Sequence, residues 1–135
     1  MNKTKTYATI GENVGMGGYD PVSYFLEGGS KPQKGFVLRN HVYDGITYRF
    51  ATDENLNRFK ANPDQYLPLY GGWCAWAIGK LGKKVECDPT SYEIKDGKLY
   101  LFYNHAELDT RKDWLANEKE LSKKAEENWN SSINQ

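Results

Sequence analysis

The chain has 135 residues, with lysine plus arginine matching aspartate plus glutamate at 18 each and a formal net charge of zero. That length suits a single domain able to bury a core without a metal or several disulfides. The balanced charge excludes nucleic acid as the main partner, because phosphate binding rests on a concentrated positive field, and the longest apolar run is far short of the roughly 20 residues of a transmembrane helix.

The first residues, Met1 to Tyr7, contain no hydrophobic segment of the secretory kind. Residues 1–17 read as an N-terminal extension or loop, 18–129 as one domain, and 130–135 as a frayed tail. Glycines from Gly11 to Gly18 lead into Tyr19-Asp20-Pro21. Proline disfavours helix at the residue before it, and an aspartate there bonds to nearby backbone in a turn. Val22 to Leu26 reads as a short helix or strand, and Glu27 to Pro32 as a loop.

Two hairpins follow. Asp44-Gly45 separates Phe36–Tyr43 from Ile46–Ala51, and Asp96-Gly97 separates Tyr92–Lys95 from Lys98–Tyr103; both dipeptides suit two-residue turns with positive φ. The first turn predicts Tyr43 opposite Ile46, His41 opposite Tyr48 and Arg39 opposite Phe50. In the second, period two puts Tyr92, Ile94, Leu99, Leu101 and Tyr103 on one face. A four-stranded antiparallel sheet, or two small ribbons, packed on helices satisfies both apolar faces.

Thr52 is an N-cap residue followed by Asp53 and Glu54, and Leu56, Phe59 and Ala61 form an apolar stripe that Pro63 ends, so a helix is predicted over residues 53–61. From Asp109 to Trp129, Trp114, Leu121, Ala125 and Trp129 recur at spacings of one or two helical turns among lysines and glutamates, the pattern of an amphipathic helix with one solvated face.

The stretch Tyr70-Gly71-Gly72-Trp73-Cys74-Ala75-Trp76-Ala77 holds most of the chemistry. Two glycines permit backbone turns that other residues resist, and they can present Cys74 at a helix start, where the dipole favours thiolate. The alternative is a small buried hydrophobe, the common state of a free cysteine. Cys74 and Cys87 are either free or paired; a disulfide would close a loop of about 14 residues, stabilising by roughly 3 kcal/mol. Besides these, His41, His105 and Met16 are the only soft or imidazole ligands apart from Met1. A thiolate, imidazole and thioether suit copper, and a thiolate with imidazoles suits zinc. No close pair such as Cys-x-x-Cys occurs, so the fold must assemble any site. For His41 a hydrogen-bonded core position competes with ligation. His105 reads as exposed, and Met16 as a lid, plain packing or a soft ligand.

Gly18-Tyr19-Asp20-Pro21-Val22-Ser23-Tyr24-Phe25, Tyr43-Asp44-Gly45-Ile46-Thr47-Tyr48-Arg49-Phe50, Asn55-Leu56-Asn57-Arg58-Phe59, Asn62-Pro63-Asp64-Gln65-Tyr66 and the Tyr70–Ala77 stretch resemble, in order and spacing, the stand-alone bacterial YHS-domain proteins, with the likeness running from Gly18 to Trp129. The short form of that domain accompanies heavy-metal transporters and some metal-dependent oxygenases. The resemblance therefore implies metal association, with copper or iron the usual ions. Longer members often carry secretion signals, which implies a periplasmic or otherwise extracytoplasmic location with the signal removed; a cytoplasmic one stays open. Two departures stand out: Ser23 occupies a position where the short form has cysteine, and Phe50-Ala51-Thr52 lacks the cysteine that tends to follow its Tyr-x-Phe strand.

The sequence thus reads as one monomeric α+β domain, a small antiparallel sheet built from two hairpins on short helices and a longer C-terminal amphipathic helix. It is expected to bind a metal ion (copper, iron or zinc) through Cys74, His41 and Met16, or a small ligand in a pocket walled by Trp73, Trp76, Tyr48 and Tyr70. The alternatives are a structural or protein-interaction domain with Cys74 buried or bonded to Cys87, and a thiol enzyme with Cys74 as nucleophile and His41 as base. Catalysis is the weakest, because no oxyanion group, acid pair or cofactor fingerprint is identifiable.

Overall fold

The computed structural model describes residues 7–11, 13–26 and 31–133; the readings made for residues 1–6, 27–30 and the last two of the tail fall outside them. Strands β1 (Thr9–Ile10), β2 (Val14–Gly15), β3 (Phe36–Tyr43) and β4 (Ile46–Phe50) form one sheet in the order β1-β2-β4-β3. The β3–β4 hairpin turns at Asp44 (φ 56°) and Gly45 (φ 83°), the positive pair that a type I′ turn demands. Tyr43 pairs with Ile46 and His41 with Tyr48, as the turn predicts. The register then shifts: Phe50 faces Phe36, because the β3 strand bulges between Phe36 and Asn40. Arg39 consequently reaches past the strand, donating from Nη1 to the Ala51 carbonyl and from Nε to Asp53 Oδ1, both at 2.9 Å.

The sheet is not purely antiparallel. β2 runs parallel to β4, with Val14 opposite Thr47, so β1 and β2, in a stretch that reads from sequence as an extension or loop, extend the first hairpin. The second hairpin, β5 (Asp88–Lys95) and β6 (Lys98–Phe102), lies in a sheet of its own and turns at Asp96 (φ 53°) and Gly97 (φ 76°). The separate-ribbon arrangement is therefore the one adopted. A third small ribbon joins β7 (Asn104–His105) to β8 (Leu108–Asp109).

Helix α1 (Asp53–Ala61) matches its predicted bounds, and Thr52 Oγ1 accepts from Asn55 N at 3.1 Å. It drops Phe59 onto the inner face of β4, with ring centroids 5.2 Å from Tyr48 and 5.1 Å from Phe50. Pro21–Phe25 is a 3-10 helix. Its capping residue Asp20 is fully buried, and its carboxylate accepts from the backbone N–H groups of Val22 and Ser23, the local turn bonds expected of it, and also from Ala51 N and Asn55 Nδ2.

Helix α2 (Ala75–Lys80) follows the Tyr70–Cys74 turn, and the C-terminal stretch forms α3 (Thr110–Ala116), α4 (Glu118–Asn128) and a final π turn, Trp129–Ile133. The one long helix predicted is thus broken at Asn117 (φ −130°), whose side-chain amide bonds to the Asp113 carbonyl. Short polar side chains compete for helical backbone in this way. The apolar stripe survives the break: Trp114, Leu121 and Ala125 are buried, with Trp129 packed at their edge.

Two hydrophobic clusters result, and β6 serves both. Leu99 and Leu101 join Ile46, Tyr48, Phe50 and Phe59, while Phe102 joins Cys74, Ile78, Trp114 and Leu121. Period two predicts Tyr103 with the leucines, but β6 ends at Phe102 and Tyr103 packs against the second cluster, where Phe102 is fully buried. A near-continuous apolar run is what a strand covered on both faces requires.

Candidate functional site

Tyr70, Gly71 and Gly72 all have left-handed backbone (φ 57°, 63° and 86°), so the chain reverses tightly before α2. This delivers Cys74 to the cap position of that helix, fully buried, with its N–H donating to the Val85 carbonyl at 2.9 Å. Its Sγ lies 3.5 Å from Thr110 Oγ1, and that hydroxyl already donates its single hydrogen to the Tyr103 carbonyl at 2.6 Å. Thr110 Oγ1 then accepts from the thiol. The six-residue helix holds Cys74 as a hydrogen-bonded core group.

The other expected partners are dispersed. His41 is half-buried on β3, its ring 6.2 Å from Phe59 in the first cluster, whereas Cys74 belongs to the second. The hydrogen-bond partner of the thiol is thus Thr110, and no Cys74–His41 pair forms. His105 is exposed on β7 and stacks 6.4 Å from Tyr103. Of the four aromatic residues expected to wall a pocket near Cys74, Tyr48 packs in the first cluster, and Tyr70, Trp73 and Trp76 in or against the second. Trp76 Nε1 is engaged by Asp113 Oδ2 at 2.6 Å.

What the fold does bring together is Met16 and Cys87. Both line a cleft of about 320 Å³, with Tyr19, Lys34, Glu86 and Pro89 around them. Met16 is buried in left-handed backbone (φ 56°) beside Gly17, where an added Cβ would sit 2.9 Å from Pro89 Cγ; glycine thus lets this turn lie against the segment that carries Cys87. Cys87 is half-buried, and like the fully buried Cys74 it is a free thiol. Burial pushes the Cys87 thiol up to about 12, with the nearby Cys74 and Asp88 adding to the rise. Sequence reasoning weighed Cys87 chiefly as a disulfide partner; its place beside Met16 depends on a contact between segments far apart in the chain, which no local pattern reports.

The donor set restricts the metal. Among the described residues, no three histidine, cysteine, aspartate or glutamate side chains converge on one point, so the tetrahedral nitrogen and sulfur cage of a structural zinc does not fit, nor does a histidine and carboxylate iron site. A thioether beside a thiol fits copper(I), which soft sulfur ligands select.

A second polar cluster had no signal in the sequence. Glu93 on β5 and Glu118 at the start of α4 lie near enough to shift each other's carboxyl, beside Lys95, which pairs with Glu118, and beside the Trp114 indole. Glu93 Oε2 and Trp114 Nε1 are buried without a hydrogen bond of normal geometry. Burial, with the Glu118 carboxyl next, pushes Glu93 up to about 7.

A family model described as the YHS domain matches residues 32–70, which span β3, β4, α1 and the start of the Tyr70 turn. No curated protein and no solved structure matches the chain, and among the described residues no helix is long and apolar enough to cross a membrane.

Proposed function

With residues 32–70 forming a YHS domain, we propose that this protein is a binding domain that takes a copper(I) ion through the sulfurs of Cys87 and Met16. The observation that carries the reading is the meeting of these two side chains in one open cleft, while the other soft or imidazole groups, Cys74, His41 and His105, are engaged or positioned elsewhere. The association of the YHS domain with copper-related proteins supports the same ion. Bound there, copper(I) would supply soft-ligand transfer or storage chemistry. The protein's own contribution is to hold the thioether in a fixed left-handed turn and to surround the thiol with low-dielectric walls.

Because the Cys87 thiol is held protonated at neutral pH, ligation releases a proton and affinity must climb with pH. The test is anaerobic competition between the protein and a chromophoric copper(I) chelator across pH. One equivalent bound tightly, abolished in Cys87→Ser, weakened in Met16→Leu and retained in His41→Ala, is the expected outcome. Retention of full affinity by Cys87→Ser, or no competition even at alkaline pH, would overturn the assignment. Of the residues expected from sequence to ligate, Met16 keeps that role in this reading, Cys74 becomes the neighbour that raises the Cys87 thiol, and His41, packed against Phe59, takes no part.

A further inference from the structure

Between β6 and α4, sharing no lining residue with the sulfur cleft, lies a groove of about 510 Å³ lined by Tyr70, Tyr100, Trp129, Lys98, Lys123 and Glu126 among others. Three aromatic rings meet in it, with Tyr70 centred 6.2 Å from Tyr100 and 6.1 Å from Trp129. Their flat apolar surfaces with polar tips suit a planar guest. Tyr70 is only 8% exposed, its ring closing the inner wall of the groove. Its backbone sits in the left-handed region, which disfavours a side-chain-bearing residue (φ 57°), and such conformations gather where structure is held for use.

The charges at the rim point the same way. The ion pairs among the described residues include Arg39–Asp53, Lys95–Glu118 and Lys124–Glu120. Lys98 on β6 and Lys123 on α4 are in none of them, so the groove presents two uncommitted ammonium groups against the single carboxylate of Glu126. Burial, then Tyr100 and Glu126, raises the Tyr70 hydroxyl above the ordinary phenol range, so it stays a hydrogen-bond donor at any physiological pH.

We propose that this groove binds a small planar aromatic anion, its ring against Trp129 and Tyr100, its carboxylate between Lys98 and Lys123, and an oxygen of the ligand accepting from Tyr70 Oη. The complementarity is specific in sign: a neutral ring of the same shape loses both ammonium contacts, and a cationic one is repelled. As a packing feature alone, the aromatic cluster would not need two lysines outside any ion pair at its rim.

The test is titration of the full chain with 2-naphthoate, followed by two-dimensional amide and indole N–H NMR. A saturable shift of the Trp129 indole and of the Lys98 and Lys123 amides is expected, with Kd of about 1 mM or tighter for a probe of this size. The neutral 2-naphthylmethanol should bind roughly tenfold more weakly, as loss of charge-assisted hydrogen bonds dictates. A Lys98→Met/Lys123→Met variant should bind the two probes alike. Tyr70→Phe, which keeps the ring and therefore the packing, should weaken naphthoate about threefold to tenfold. No shift at the solubility limit of the probe would overturn the proposal. So would shifts that leave Trp129 unmoved, or equal binding of both probes to the unaltered protein.

Discussion

Asn55 Nδ2 donates to Asp20 Oδ2 at 2.8 Å, with both side chains buried, and this bond fastens α1 to the turn that starts the 3-10 helix Pro21–Phe25. The same carboxylate accepts from Val22 N at 2.8 Å, Ser23 N at 3.3 Å and Ala51 N at 2.8 Å. The charge of Asp20 is thus solvated by N–H donors in place of water, and two segments distant in sequence, residues 20–23 and 51–55, share one acceptor. Removing it strands buried donors that nothing else can satisfy. Asp20→Ala should therefore cost about 3 kcal/mol or more, and Asn55→Ala, which removes one charged hydrogen bond, about 2 kcal/mol. Urea unfolding measures both; an Asp20→Ala cost below about 1 kcal/mol would contradict this role.

The two thiols should be slow to react in the folded protein, for different reasons. Cys74 is inaccessible and donates to Thr110. Cys87 is reachable through the cleft but carries a thiol pushed up to about 12, so its thiolate is scarce near neutrality. Alkylation of Cys87 should accelerate steadily with pH without levelling off in the neutral range, while Cys74 is labelled only after unfolding. Mass spectrometry of the labelled peptides distinguishes them. A plateau in Cys87 labelling near neutral pH would contradict the buried-thiol assignment.

Stability should change with pH through the Glu93–Glu118 pair. Burial and Glu118 raise Glu93 to about 7 from the usual carboxyl value of 4.5. Folded protein therefore holds a proton between those two values that the unfolded chain has released, and stability rises as pH falls across that window. Glu118 acts in the opposite direction and elsewhere. Burial opposes its ionisation, but Lys95, with Glu93 and Trp114 behind it, outweighs burial and lowers its carboxyl, so that contribution is lost only as pH drops below the window. Glu93→Gln should flatten the dependence between about pH 5 and pH 8 and leave the variant more stable than the parent at the alkaline end. Urea midpoints at the two ends measure this; a parent protein equally stable at both would remove the pair as its cause.

The hairpin turns were legible because Asp44-Gly45 and Asp96-Gly97 adopt the positive φ angles that their residue types tolerate best. Helix α1 was legible because Thr52, the acidic first turn and Pro63 are all local signals. What was not legible depends on contacts between distant segments. The β3 bulge accompanies Gly35, where a Cβ would come within 2.3 Å of the Arg49 carbonyl carbon, and Gly35 N is itself drawn to the Gly18 carbonyl at 2.8 Å. The parallel pairing of Val14 with Thr47 has no signature in a two-residue strand. The site suffered most: aromatic and sulfur residues crowded around Cys74 in sequence part into two clusters in space, and Met16 and Cys87 meet only in the folded chain.

Gly79 is the position where α2 touches α4, and its lack of a side chain sets the distance between them. A Cβ there would lie 2.6 Å from the Leu121 carbonyl oxygen and 3.4 Å from Ala125 Cβ. The nearest obstacle is backbone, which no rotamer change can move, so alanine must force the two helices apart. In an exposed helix the same substitution would stabilise by about 1 kcal/mol; here overpacking costs about 1 to 3 kcal/mol or more and opens the cluster around Trp114. Because α2 has only six residues, it is too short to persist without that packing, and the loss should spread to the Cys74–Thr110 contact. Gly79→Ala should therefore lower the melting temperature by several degrees, about 4 °C for each kcal/mol in a chain of this size. It should also expose Cys74 to labelling without full unfolding. Lys80→Ala, one residue on and solvent-exposed, should change stability by no more than about 0.5 kcal/mol. Equal behaviour of the two variants would show that α2 and α4 are not held at the spacing the glycine requires.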